Sequence, residues 1–222
     1  IANVTAEQYI YSFHLPLFFW ISGFVFNPLK FQQGRSFLYR RFRTIMFPYF
    51  IFALISFIFW VVIVRGLSVR GQILSLSPWY PFVGIFYGVG VGQWRNPLDV
   101  ALWFLPCLFV TSMIFWCINK YLSRRSQVYA LIIIGAIGYI TSLGLPFRLP
   151  WSSDVALTAV VFYGAGYLAR KQNAHTFKLH WFLKVVMMAS FATIGFLLSQ
   201  INEKVDMNYN FYGNPLLFYC AA

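Results

Sequence analysis

Two groups of side chains in this chain of 222 residues could do chemistry: His14, set in Ser12-Phe13-His14-Leu15-Pro16-Leu17-Phe18-Phe19, and the arginines of Arg40-Arg41-Phe42-Arg43. An imidazole exchanges its proton near neutral pH, so His14 could act as a general base on a hydroxyl. Placed one turn inside the end of an apolar stretch, it could equally cap its helix or bond a neighbouring carbonyl. Guanidinium groups bind phosphate through paired, coplanar hydrogen bonds, so Arg40, Arg41 and Arg43 could hold a nucleotide or coenzyme phosphate. A basic cluster at the mouth of an apolar segment also anchors a membrane protein against lipid headgroups, and that reading needs no ligand.

Other polar features carry less. Gly84, Gly88, Gly90 and Gly92 resemble a phosphate loop in spacing alone, because no Lys-Ser/Thr follows them. The segment Ser77–Gly92, with Trp79 and Tyr80, reads better as an aromatic surface loop or re-entrant hairpin, and its rings could stack on a sugar or sit at the membrane interface. Asp99 and Asp154 each stand just ahead of an apolar run, where a carboxylate could orient a histidine or cap the following helix. His175 and His180 flank Lys178 without a third ligand, so no metal site is expected. Cys107, Cys117 and Cys220 have neither metal nor disulfide spacing and read as packing residues. Asn3-Val4-Thr5 matches a glycosylation acceptor pattern, which matters only in a eukaryotic secretory pathway.

The elements that must position these residues are apolar to an extent soluble domains are not. The chain is 60% hydrophobic, 22% aromatic and 10% charged, against about 25% charged in an ordinary soluble domain. Ile45 to Val64 holds twenty residues without a charge. At about 1.5 Å per residue a helix of that length spans a hydrocarbon core of roughly 30 Å. Seven such stretches are expected as spans: 11–26, 45–64, 101–118, 128–145, 155–169, 182–199, and the start of another near Pro215. The predicted fold is therefore all-α, a polytopic transmembrane helical bundle, with residues 1–222 as one membrane-embedded domain. Because the chain opens on Ile1 and closes inside an apolar run, it reads as a fragment cut at both ends, with about seven spans, out of about ten that the family resemblance given below implies.

Charge orients the spans. The segments 28–44, 119–127 and 170–184 hold twelve of the seventeen Lys and Arg and no acid, while the five acids (Glu7, Asp99, Asp154, Glu203, Asp206) fall in the alternate gaps. The positive-inside bias puts the basic segments in the cytoplasm and the acidic ones outside. The net charge of +12 then follows from topology and contact with anionic lipid, and no nucleic-acid partner is needed to explain it.

Four stretches, in order along the chain, together resemble the integral-membrane acyltransferase family 3, in particular its fucose 4-O-acetylase-like sugar O-acetyltransferase branch. They are the run from Phe13 to Phe24 containing His14; Phe37-Leu38-Tyr39-Arg40-Arg41-Phe42-Arg43 followed by Pro48-Tyr49; Leu102-Trp103-Phe104-Leu105-Pro106-Cys107; and Phe162-Tyr163 through Gly166-Tyr167-Leu168 to Arg170-Lys171. The resemblance implies a multi-pass protein of the cell membrane, in a bacterium the inner membrane. It implies transfer of an acetyl or other acyl group from cytoplasmic acyl-CoA, acetyl-CoA foremost, to a sugar hydroxyl of a cell-surface polysaccharide or lipid-linked glycan. Acetyl-CoA is then a donor substrate, with no tightly bound cofactor. The resemblance raises Arg40, Arg41 and Arg43 to candidate ligands of the coenzyme phosphates and His14 to a catalytic or acceptor-site residue. It also places the family's principal catalytic histidine upstream of Ile1, and gives Trp103 and Pro106 a shaping role.

The competing class is a transporter or glycan flippase, which would carry charges in mid-span and broken helices in related halves. The spans show neither pattern. Since a thioester is already activated, an acyltransferase needs a base for the acceptor hydroxyl, a donor for the oxyanion and a dry path between the two substrates.

Overall fold

Long runs of Phe, Leu, Ile and Val, interrupted only by isolated prolines and glycines, fold as helices in the computed structural model of the chain. The structure describes residues 2–30, 33–65, 77–92, 94–95, 101–171 and 181–221. Its helices are α1 (Ala2–Phe24), α2 (Gly34–Val64), α3 (Trp79–Tyr87), α4 (Phe104–Tyr121), α5 (Arg124–Gly144), α6 (Ser153–Lys171), α7 (Trp181–Ile201) and α8 (Pro215–Ala221). Among the described residues there is no strand, and one isolated antiparallel bridge joins Asp206 to Phe211. The all-α helical membrane bundle expected from the sequence is the fold observed. Asp99, His175, Lys178 and His180 lie outside the described residues.

Each expected span coincides with a helix, but the helices differ in their fitness to cross a bilayer. Among the described residues, Gly34–Val64, Phe104–Tyr121 and Arg124–Gly144 are long and apolar enough, and Val185–Ile201 is a shorter apolar stretch. In α1 and α6 polar residues such as Glu7, Gln8, His14, Asp154 and Thr158 dilute the hydropathy. The outward surfaces of the long helices are apolar. Phe47, Phe52, Ile55, Ile58, Phe59 and Val62 of α2 are all exposed, as are Ile132, Ile133, Ile137, Ile140 and Leu143 of α5. In water such continuous apolar faces would drive association, whereas in lipid they meet their own solvent.

The segment expected as a basic loop before the second span is largely helical. Gly34–Arg41 is already α-helix and runs without a break into the span, because no proline or glycine interrupts the residues between Gly34 and Pro48. Pro48 then falls in a helix interior, where it removes an N–H and crowds the preceding turn. The turn just before it, Phe42–Met46, widens to a π-helix, with the Phe47 N–H bonding the Phe42 carbonyl. A widened turn of this kind relieves the ring's crowding and keeps the helix continuous.

The chain forms two compact units: residues 1–26, 122–144 and 157–222, and residues 27–121 and 145–156. In the first, α1 crosses α6 at backbone contact. A Cβ on Gly23 would lie 1.8 Å from the Tyr163 carbonyl oxygen, and one on Gly166 would lie 2.0 Å from that of Trp20. Only glycine permits so close a crossing. Just beyond it the Arg170 guanidinium donates to the Phe24 and Phe26 carbonyls, 3.3 Å each, serving carbonyls at the end of α1 that lack helical partners. Toward the other end of α1, Gln8 Nε2 donates to the Ser199 and Asn202 carbonyls at 2.7 and 2.9 Å, tying α1 to the end of α7.

The second unit has its core where the π-turn of α2 meets α4 and α3: Ile45, Met46, Tyr49, Ala53, Ile85 and Phe109 are buried together. Tyr49 is buried with its hydroxyl satisfied by the Ile85 carbonyl at 2.7 Å. The segment Ser77–Gly92, expected as a surface loop or hairpin, is α3 followed by a buried turn. Gly88 closes α3 in the left-handed region at φ 68°, and Val89 and Val91 after it are buried.

Candidate functional site

His14 lies in the first unit near the middle of α1. The apolar run starts at Tyr11, which would leave His14 one turn from an outer end. The helix itself begins at Ala2, since Ala, Glu and Gln extend it beyond the apolar stretch. Counted at about 1.5 Å per residue, His14 is some 15 Å from Phe24 and some 18 Å from Ala2. Its Nδ1 is 2.6 Å from the Ile10 carbonyl oxygen, and its ring meets Tyr11 edge-to-face at 5.3 Å between centroids. A carbonyl only accepts, so this bond requires a proton on Nδ1, and in the neutral imidazole the lone pair is then on Nε2. The carbonyl-bonding and general-base readings of His14 are thus compatible: the first fixes the tautomer that the second requires. Pro16, two residues on, removes one helical N–H from the same stretch. Ser12 and Ser22, the nearest serines on either side in sequence, donate to the Tyr9 and Phe18 carbonyls at 2.7 and 2.8 Å, as serines in helices commonly do.

Arg40, Arg41 and Arg43 lie in the second unit, on the first turns of α2 and at the start of its π-turn. Arg40 and Arg43, three residues apart, are both exposed, while Arg41 is half-buried. The Arg41 Cζ is 5.4 Å from the Phe37 ring centroid one turn back; Phe37 stacks on Trp116 of α4 at 5.6 Å and 17°; and the Lys120 Nζ lies 4.7 Å from the Trp116 ring. The result is a buried, stacked aromatic pair joining α2 to α4, with a cation close to each ring. In the sequence Lys120 is legible as a topology signal and Phe37 as part of the Phe37–Arg43 motif, whereas nothing there singles out Trp116. The i,i+4 spacing of Phe37 and Arg41 was legible, but their meeting with Trp116, some eighty positions downstream, was not.

Arg148 and Asp154 form a second polar centre of this unit. The Arg148 Nε is 2.5 Å from Asp154 Oδ2 and its Nη2 is 3.4 Å from Oδ1, with Asp154 only 1% exposed. Asp154 was expected to cap a helix or orient a histidine. It stands in the first turn of α6, where its charge suits the helix dipole, but its structural partner is Arg148. Between them the backbone makes a tight turn with Trp151 at φ 57° and Ser152 at φ 49°, a left-handed conformation that side chains rarely adopt. The turn is held from both sides: Trp151 Nε1 donates to the Phe86 carbonyl at 2.9 Å, and the Tyr87 hydroxyl donates to that of Arg148 at 2.5 Å. Such strain persists only where surrounding contacts over-determine it. Beneath α3, a small crevice is lined by Tyr49, Ala53, Gly84, Gly88, Leu102 and Trp103. Gly84, Gly88 and Gly90, which mimic a phosphate loop in spacing, therefore border an apolar crevice. Trp103 lines it and Pro106 packs near Gly88.

The family model of the acyltransferase domain, acyltransferase family 3, matches residues 1–222. The chain belongs to this family. No curated protein and no solved structure gives a further match. As a family 3 acyltransferase the chain is a membrane-embedded transferase of acyl groups, and the reading as transporter or flippase falls away.

Proposed function

We propose that the chain is a sugar O-acetyltransferase of the fucose 4-O-acetylase-like branch, residing in a bacterial inner membrane. It takes acetyl from cytoplasmic acetyl-CoA and delivers it to a sugar hydroxyl of a cell-surface polysaccharide or lipid-linked glycan. The observation that carries this reading is the family match over the whole chain. Two features support the assignment of roles. Arg40 and Arg43 stand exposed beside Arg41 where phosphates of a coenzyme could be held by paired hydrogen bonds, and His14 has its proton on the nitrogen that leaves Nε2 basic. In this reading the acceptor hydroxyl gives its proton to the His14 Nε2 and its oxygen attacks the thioester carbonyl. The new C–O bond forms as the C–S bond breaks, and the imidazolium returns the proton to the departing coenzyme A thiolate.

The test is binding of acetyl-CoA to the intact protein in detergent or nanodiscs. Replacing Arg40, Arg41 and Arg43 together with Ala should remove measurable binding without changing membrane insertion, and unchanged affinity would refute the phosphate-binding role.

A further inference from the structure

A cleft of about 520 Å³ opens in the first unit between the end of α5 and the segment joining α7 to α8, lined by Tyr139, Ser142, Glu203, Asn210, Phe211 and Asn214 among others. Its size lies within the usual range for small-ligand sites. We propose that this cleft binds the acceptor as an uncharged, hydroxyl-rich saccharide, with Glu203 and the two asparagines as its hydrogen-bonding groups and Phe211 as its stacking surface. The assignment rests on the reading of the chain as a sugar O-acyltransferase.

Three observations converge on it. The first is the accounting of acids. Among the described residues Asp154 pairs with Arg148, Glu7 pairs with Lys204, and Asp206 accepts from the backbone N–H groups of Asn208 and Tyr209. Glu203 is the exception. It is exposed at the cleft and has no hydrogen-bond or ion-pair partner among the described residues. A solitary carboxylate repels an anionic polymer and accepts hydroxyl protons in charge-assisted bonds, so it selects a neutral, polyhydroxylated ligand.

The second is that the wall is prebuilt. Asn202 clamps the segment from both sides, donating from Nδ2 to the Tyr212 carbonyl at 3.1 Å and accepting the Asn214 N–H at 2.8 Å. Asp206 and Phe211 exchange backbone hydrogen bonds of 2.8 and 3.0 Å, and the Tyr139 hydroxyl holds the Gly213 carbonyl at 3.1 Å. Asn210 is buried in the left-handed region at φ 58°, with its Oδ1 accepting from the Tyr212 hydroxyl at 2.8 Å. Asn214 likewise uses its Oδ1 to cap α8, accepting from the Leu216 and Leu217 N–H groups. Both asparagines thereby have their acceptor oxygens engaged and keep amide donors to offer. Phe211 is 46% exposed beside them, and sugar C–H faces stack on such rings.

The third is location. The cleft sits at the Gly144 end of α5, some 30 Å along the helix from Arg124 and Arg125 at its start. It therefore lies at the far end of that helix from the basic residues.

The experiment uses the intact protein in detergent and measures binding of a fucose-terminated neutral trisaccharide by calorimetry, with an oligogalacturonate of similar size as the acidic comparison. The neutral sugar should bind and the acidic one should not. Glu203→Gln and Phe211→Ala should each weaken the neutral sugar, the first by roughly ten- to hundredfold in Kd for a lost charged hydrogen bond. Both variants should keep the wild-type melting midpoint and acetyl-CoA affinity. Unchanged sugar affinity in both variants would overturn the cleft, as would preferential binding of the acidic oligomer. Acetyl transfer is assayed separately: transfer that continues with full sugar affinity in both variants sinks the cleft alone, whereas sugar binding lost in the variants without any wild-type transfer keeps the cleft and sinks the transferase reading.

Discussion

At the scale of single residues, the polar groups of this acyltransferase divide into those that hold structure and those left able to react. His14 belongs to the second group, because its bond to Ile10 leaves Nε2 available. His14→Ala should lower acetylation of the host glycan by about 10²–10⁴-fold, the usual worth of a general base, and full activity in membranes would return the residue to a purely structural role. Arg148 and Asp154 belong to the first group. Removing one partner of a buried pair leaves an uncompensated charge and costs about 3–5 kcal/mol, while replacing both with apolar residues costs far less. Asp154→Ala should lower the unfolding midpoint in detergent by roughly 6–20 °C, and Arg148→Met with Asp154→Leu should recover most of that loss. The exposed Lys204–Glu7 pair contributes little to stability. The Glu7 hydrogen bond and charge hold the Lys204 ammonium above its ordinary value, so this small contribution is present at neutral pH and is lost as pH rises from the ordinary lysine value through the raised one.

At the scale of elements, two local devices shape the helices: a widened turn that accommodates Pro48 and a glycine crossing that lets α1 touch α6. The crossing makes a sharp prediction. Gly166→Ala would place a methyl where the Trp20 carbonyl oxygen already sits, so the helices must separate; such overpacking costs about 1–3 kcal/mol or more. Gly144→Ala, at the end of α5 with no atom within 4 Å of the new methyl, should leave the melting midpoint unchanged. Equal effects of the two substitutions would refute the close crossing. Helical spacing explains why the arginines do not form one row, since positions three apart share a face and adjacent ones do not. Arg41 lies back over Phe37 and the stacked Trp116, while Arg40 and Arg43 stay exposed.

At the scale of the whole molecule, the expected topology puts the basic ends of α2, α4, α5 and α6 on the cytoplasmic side. In a background with Cys107, Cys117 and Cys220 replaced, a cysteine at Ser126 should react with an impermeant maleimide only after the cells are opened, and one at Tyr209 should react in intact cells whose outer membrane has been made permeable. Reaction of both from the same side would reject the alternation of charge as a guide to orientation. This measurement also bears on the spans whose hydropathy is modest, α1 and α6, because the alternation holds only if they cross.

Hydropathy over a helix length by itself determined the helical membrane class and the approximate course of each apolar helix, and short motifs read in order carried the resemblance to the family. They also marked His14 and the arginines as the residues to question. Only the tertiary structure decided what those residues touch. That Asp154 is engaged by Arg148, that Arg41 lies over a ring stacked on Trp116, that α1 begins nine residues before its apolar run, and that Glu203 has no partner among the described residues all depend on contacts or helix boundaries that hydropathy does not encode. A helix can be recognised from its own residues because its hydrogen bonds close within four or five positions. A site is assembled from residues far apart in the chain, and packing alone brings those together.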